Sequence, residues 1–412
     1  METKDKLTVV AIGGGAAGFF GAIACAQTNP TATVTILEAG RQPLTKVRIS
    51  GGGRCNVTHA CFDPAVLIGH YPRGGKALRG PFSRFQPQDT IAWFEERGVS
   101  LKTEEDGRIF PTTDDSATIV NCLRQTADRL GVTLKTGTVV VRVTRLDSGR
   151  FEIGLKSGDC LECDRLLLAT GSHPLGYAIA RSLGHQVVPP VPSLFTFNIG
   201  DERLQDLAGI SVPVARLKLP EAKLEQVGPI LITHWGLSGP AVLKLSAWGA
   251  RFLHDRRYQA SLSVNWIGDL STEKTRERLY QLKSDFPRRA IGTHSPFTLP
   301  RRLWERLVAT TPIDPQKRWA QVSKKELNHL AVELTQGSYL IGGKGVFKEE
   351  FVTCGGIPLP EIQFKTMESR VCPGLFFAGE ILDIDGVTGG FNFQNAWTTS
   401  WLAGRAIARH GL

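Results

Sequence analysis

Residues 50–59 read Ser-Gly-Gly-Gly-Arg-Cys-Asn-Val-Thr-His. A guanidinium (Arg54), a thiol (Cys55), an amide (Asn56) and an imidazole (His59) therefore follow directly on Gly51, Gly52 and Gly53. Three glycines in a row do not make a stable helix or strand interior. They suit backbone that runs very close to a flat or bulky ligand. A thiol or imidazole beside such a ligand can donate a proton, so Cys55 is the first candidate for a general acid. His59, His234 and Arg108 stand behind it, and Cys354, next to Gly355-Gly356, could stand in for it. A structural thiol is the competing reading of Cys55, and a lone histidine is more often a structural hydrogen-bonder than an acid.

These groups need a scaffold, and the first 38 residues supply one. An apolar run from Leu7 to Ile12 ends in Gly13-Gly14-Gly15, and Gly18 completes G-x-G-x-x-G. The first glycine permits a tight turn, the second lets backbone approach a pyrophosphate, and the third lets helix and strand pack closely. The helix expected from Ala16 to about Gln27 would aim its positive N-terminus at the phosphates. A second strand, Ala32 to Leu37, ends at Glu38, about 20 residues past the glycines, where an acid can hold the ribose hydroxyls.

The 412 residues hold no apolar run long enough to span a membrane, and with charges of both signs the METKDK start is not expected to act as a signal peptide. Eight scattered cysteines suit a reducing compartment, hence the cytoplasm. Cys160-x-x-Cys163 has no second pair to complete a zinc site, so no metal is expected. The net charge of +10 is uneven: between Glu273 and Lys325, thirteen Lys and Arg against five Asp and Glu leave +8. That stretch includes Arg288, Arg289, Arg301, Arg302 and Arg306. Such a surface is either a solvated helical face or an electrostatic footprint for a polyanion such as RNA. Residues 69–85, with Arg73, Lys76, Arg79 and Arg84, read as a second basic, glycine-rich loop.

Further along, a helix is expected over 88–98, a hairpin over 99–112 turning at Asp106-Gly107, and a helix over 114–130. A strand from Val132 to Val143 would pair with Arg150–Leu155, and an apolar strand, Leu161–Ala169, would end at Ala169-Thr170-Gly171 on the cofactor edge. PPVPSLFTF marks a boundary, after which short strands are expected to about Trp266. The reading is an α/β fold in three parts: 1–190 with 350–412 binding the dinucleotide, a β-rich part at 191–270 with 336–349, and a basic helical insert at 271–335. The chain returns to the first part with Gly374–Glu380, an acid at a strand tip, then Gly389-Gly390 before a long helix to about His410, with Gly411 beyond its end.

Two dinucleotide-facing segments at opposite ends of the chain suit FAD. IGGGAAG, SGGGRCN, LLLATG, THWGLSGP, TMES and GLFFAGEILDIDGVTGGFN together resemble the BaiN/RdsA-like NAD(P)/FAD-dependent oxidoreductases, over nearly the whole chain. The resemblance implies a glutathione-reductase-like FAD domain with an inserted β-barrel-like domain that carries a helical insert. It implies reduction of a polarised carbon–carbon double bond, either uridine in large-subunit ribosomal RNA or a steroid-like enone. Hydride would reach C6 of uracil and an acid would protonate C5. The basic insert favours RNA; a flavin-bearing RNA-binding protein without turnover is a further alternative. The expected cofactor residues are Gly13, Gly15, Ala16, Ala17, Gly18, Glu38, Ala39, Lys46, Ser50–Arg54, Asn56, Val141 and Ala169–Gly171. At the C-terminal end they are Gly379, Glu380, Asp385 and Gly389–Asn392, of which Gly389, Gly390, Phe391 and Asn392 would face the flavin pyrimidine. No second G-x-G-x-x-G unit serves a nicotinamide, so NAD(P)H would bind transiently. A monomer, free of membranes, is expected.

Overall fold

The structure, a computed structural model, describes residues 6–293, 295–345 and 352–409. The expected helix end near His410 and Gly411, and residues 346–349 of the expected β-rich part, lie outside the described residues. Two units are defined: one from the N-terminus to Val191 and again from Val352, the other from Pro192 to Phe351.

The first unit is built on a sheet whose apolar strands are buried on both faces. β1 (Thr8–Ile12) is central, flanked by β2 (Thr33–Leu37) and by a strand at Arg165–Leu168, in parallel register Val9↔Val34 and Val9↔Arg165. Leu375–Phe377 extends the sheet beyond Arg165–Leu168, and Thr133–Lys135 forms the edge beyond β2. α1 (Ala16–Thr28) connects β1 to β2, and its run of buried small and aromatic residues packs on α2 (Phe391–Arg409). Gly404 permits the close approach: a Cβ there would meet the Gly21 carbonyl oxygen. All these strands deliver their C-terminal ends to one edge, where an open α/β sheet binds its ligands.

Two expectations in this unit over-extended or missed elements. The strand expected over Val132–Val143 is two, Thr133–Lys135 in the parallel sheet and Val140–Arg145 in an antiparallel hairpin. Gly137, at φ +65°, breaks the run, and its amide is taken by the Gly40 carbonyl. Residues 69–85 are not a loop, since Gly75–Phe82 is a helix that buries Leu78 and Phe82. Gly80-Pro81 disguised it; Pro81 lies inside the helix, one residue from its C-terminal end.

In the second unit, seven antiparallel strands run in the order 337–341, 260–265, 211–219, 224–233, 236–238, 197–198, 343–344. The two edges are consecutive in the chain, separated only by Gly342, so the sheet curls back towards closure. Two helices, Pro240–Trp248 and Ala250–Asp255, interrupt what reads as a run of strands. Proline is pre-set for a first helical turn, and Gly239 at φ +99° turns the chain into it. Helices at 272–285, 301–309 and 324–336 bury Leu279, Trp304, Leu307, Leu327 and Leu330 in the same apolar cluster as the sheet residues Leu217, Ile232 and Val264.

Candidate active site

The glycine loop divides its labour as the motif requires. Gly13 sits at φ +108°, and a Cβ there would strike the Ala169 carbonyl oxygen. A Cβ on Gly18 would strike the Gly13 carbonyl oxygen. Gly15 differs: nothing lies within 4 Å of where its Cβ would be. Gly15 caps α1 with no side-chain hydrogen bond, so the first amides of the helix, at Ala16 and Ala17, are left for a ligand. The Glu38 carboxylate is aimed over the loop, accepting from the Gly14 amide at 2.7 Å and the Gly40 amide at 2.6 Å. Ala39 beside it is exposed.

A second cluster gathers where the strands end. Lys46 pairs with Glu380 at 2.5 Å, and the other Glu380 oxygen accepts from the Thr353 amide at 3.1 Å. Gly171, at φ +58°, leaves room for that carboxylate, and the Gly379 amide is anchored on Thr399 Oγ1 at 2.9 Å. The Thr170 hydroxyl is buried with no hydrogen-bond partner among the described residues.

The third cluster joins segments more than 300 positions apart. Gly51, Gly52 and Gly53 all have positive φ (59°, 69° and 85°), and added Cβ atoms at Gly52 and Gly53 would meet nothing. Ser50 closes this turn, its carbonyl accepting from the Cys55 amide at 2.9 Å. The Asn56 carboxamide, oriented to satisfy both ends, accepts from the Gly390 amide and donates to the Thr58 carbonyl, each at 2.9 Å. Asn392 clamps Gly386 through both backbone groups at 2.8 and 2.9 Å, and Tyr71 donates to the Phe391 carbonyl at 2.7 Å. The Phe391 ring stacks with His59 (4.7 Å between centroids) and His70 (4.2 Å). Gly389 lies under the same rings, its added Cβ 3.5 Å from His59.

Several expected roles change. Cys55 is fully enclosed, and burial pushes its thiol up to about 12. A sealed side chain does not touch substrate in this conformation. Asp385 is buried and forms a two-pronged ion pair with Arg73, with Nε 2.6 Å from one carboxylate oxygen. The pair braces the loop before Gly389. Arg54 turns to Glu104 (2.6 Å), whose carboxylate holds the guanidinium pKa above its usual value, and lies over the Phe110 ring. Arg108 pairs with the same Glu104 and with Asp106, so its guanidinium is committed to carboxylates. Val141 is exposed at a bulge in its hairpin. His234 lies in the other unit, exposed beside Trp235 at the tip of a hairpin. Cys354 is buried.

Among the basic candidates, Lys76 and Arg79 are exposed on the helix at 75–82, and Arg288 and Arg289 are exposed, the latter over the Phe286 ring. Arg301 pairs with Glu305, Arg302 donates to the Asp206 carbonyl and Arg306 to the Glu202 carbonyl. The sequence reading did not pick out His70 or Tyr71; the one local signal was their place at the head of a glycine-rich basic stretch.

A parallel sheet with an open glycine loop, an acid over that loop and a second glycine pair before the C-terminal helix defines an FAD-dependent oxidoreductase. A family profile described as "HI0933-like protein Rossmann domain" matches residues 7–406, and the chain belongs to that family. It is 31% identical to a ribosomal RNA dihydrouridine synthase of Escherichia coli, over 96% of this chain and 97% of that one. It is 30% identical to a 3-dehydro-bile acid delta(4,6)-reductase of Clostridium scindens, over 96% and 98% respectively. Among solved structures, a 3-ketosteroid-delta4-(5alpha)-dehydrogenase from Rhodococcus jostii superposes with TM-score 0.52 at 17% identity, covering 99% of this chain and 98% of that one, a likeness of fold. No helix among the described residues is long and apolar enough to cross a membrane.

Proposed function

We propose that this chain reduces uridine to dihydrouridine in large-subunit ribosomal RNA, using FAD and electrons from NAD(P)H. The observation that carries the reading is 31% identity along essentially the full length of a ribosomal RNA dihydrouridine synthase. The charge agrees with it: +10 overall, with Lys76 and Arg79 projecting from one helix.

The open space at Gly15, the Glu38 carboxylate and the bare glycines 52–53 fit FAD. Glu38 would hold the ribose hydroxyls, the α1 N-terminus the pyrophosphate, Lys46 and Glu380 the middle of the molecule, and the 389–392 backbone the pyrimidine edge. Bound there, the flavin supplies hydride for C6 of the uracil. The chain must supply the proton for C5. With Cys55 sealed and Arg108 ion-paired, His59 and His70 against Phe391 are the groups placed to hold it. The Asp106 carbonyl takes the His59 Nε2–H at 3.1 Å and orients the ring, so a proton for C5 would come from Nδ1 of the His59 imidazolium or from His70. A uracil in structured RNA must be turned out of its stack at a cost of a few kcal/mol, which phosphate contacts offset. Among the described residues there is no second dinucleotide unit, and on this reading NAD(P)H would bind transiently to a cytoplasmic monomer.

The 30% identical bile acid reductase supports a second reading, reduction of a small enone. Incubating the flavin-loaded protein and NADPH with unmodified large-subunit ribosomal RNA, then digesting to nucleosides, separates the two. Dihydrouridine at a defined site is expected; none, alongside rapid enone turnover, would replace the proposal with the second reading.

A further inference from the structure

Beyond the flavin edge, the first unit holds a solvent-open cavity of about 530 Å³. Its wall is Arg41 and Gln42 after β2, Arg48 from the short helix Thr45–Ile49, Arg124 and Asp128 from the helix Ala117–Arg129, and Thr136 after the edge strand. None of these was a candidate for the flavin. Among the described residues none of the three guanidiniums has an ion pair, although Asp128 shares the cavity. Arg48 Nε is buried with no hydrogen-bond acceptor. Arginine's planar fork matches the oxygens of a phosphate, and three forks from separate segments surround more space than one phosphate fills.

We propose that this cavity is a subsite for the phosphate backbone of RNA, placed on the flavin-binding unit itself. The inference rests on the proposed RNA substrate and names the surface that grips it. Arg41 and Arg124 are exposed and would meet successive phosphates. Arg48, whose carbonyl accepts from Ser116 Oγ at 2.8 Å, fixes the register between them.

The test is equilibrium binding of a fluorescent fragment of protein-free large-subunit ribosomal RNA across a salt series, with flavin absorbance recorded on the same samples. The variants are R41Q/R124Q, which alters only exposed side chains, and R41Q/R48Q/R124Q. Each guanidinium withdrawn from a phosphate lowers the slope of log affinity against log salt by about 1. The expected result is a slope smaller by about 2 in the double variant and about 3 in the triple, with flavin retained. An unchanged slope in the double variant, where the parent binds and reduces the RNA, overturns the subsite and leaves the proposed function standing. Loss of flavin from the double variant also overturns it, by assigning the cavity to the cofactor. So does a raised KM for NADPH with RNA binding unaltered, which would make the cavity a dinucleotide site. A parent protein that does not bind RNA at all overturns the proposed function, and this inference with it.

Discussion

The arginines around the 530 Å³ cavity and Arg301, Arg302 and Arg306 of the helix at 301–309 have the same charge but different chemical availability. Arg301 is paired with Glu305, and Arg302 and Arg306 cap backbone carbonyls; nearby, Lys317, between the helices at 301–309 and 324–336, is held by Glu326, and Lys283 donates to the Val322 carbonyl. Arg301, Arg302 and Arg306 sit on a helix whose Leu303, Trp304, Leu307 and Val308 join the core of the second unit. In the cavity, by contrast, three guanidiniums face solvent-filled space without a carboxylate partner among the described residues. A committed guanidinium still contributes to the long-range field that steers a polyanion. It has fewer N–H groups left for a phosphate. Charge counted along a sequence therefore measures potential, whereas binding depends on which donors the fold leaves open.

The same contrast between closed and open positions sets the largest expected effects. Gly18→Ala should retain no flavin and fold poorly, because its Cβ has no room; Gly15→Ala should fold normally, yet lose flavin, because only a ligand occupies the space its methyl would take. Thermal melts and flavin absorbance of the two variants check this, and flavin retained by Gly15→Ala would show that the opening is not a binding surface. Next in size, His59→Asn combined with His70→Asn should slow reoxidation of the reduced flavin by RNA about 10²–10⁴-fold, the usual contribution of a positioned acid. Cys55→Ala should leave that rate near the parent's. Rapid mixing separates the steps, and the reverse pattern would return the proton to the thiol.

Smaller effects should follow in the helical segment. Arg302→Gln with Arg306→Gln should lower the melting temperature by about 2–4 °C per kcal/mol lost, with roughly 1 kcal/mol expected for each charged hydrogen bond to a carbonyl. Its salt slope for RNA should fall by less than that of R41Q/R124Q. A larger fall would erase the distinction drawn between the two regions. The smallest effect concerns His185, sealed between Glu361 (2.6 Å) and Ser369 (2.7 Å). Burial lowers its pKa from 6.5, against the opposing pull of Glu361. A histidine whose folded pKa is lowered contributes stability that is present above the unfolded value and lost as pH falls below it. Melting temperatures should therefore drop as pH falls below 6.5, and His185→Gln should flatten that dependence.

What the sequence revealed was local. The glycine spacing, the apolar strands around it and the acid at position 38 each act within one βαβ unit, so pattern and structure agree there. The helix at 75–82 was hidden because Gly80-Pro81 is ordinarily a breaker, and the edge strand at 133–135 because Gly137 lies inside an otherwise continuous alternation. Tertiary facts were out of reach: Cys55 reads as a reactive thiol until the fold seals it, and Arg73 reads as a free cation until Asp385, 312 positions away, takes its guanidinium. The tri-arginine cavity draws on three segments spread over more than 80 positions, with no spacing to mark it.

The central claim is that the open cleft in the first unit reduces uridine in RNA. Following NADPH oxidation by the flavin-loaded protein, with and without unmodified large-subunit ribosomal RNA, tests it most directly. The account expects slow oxidation alone and a burst with RNA whose size matches the dihydrouridine formed, one per NADPH consumed beyond background. Oxidation unaffected by RNA, with no dihydrouridine in the digested product, would contradict it.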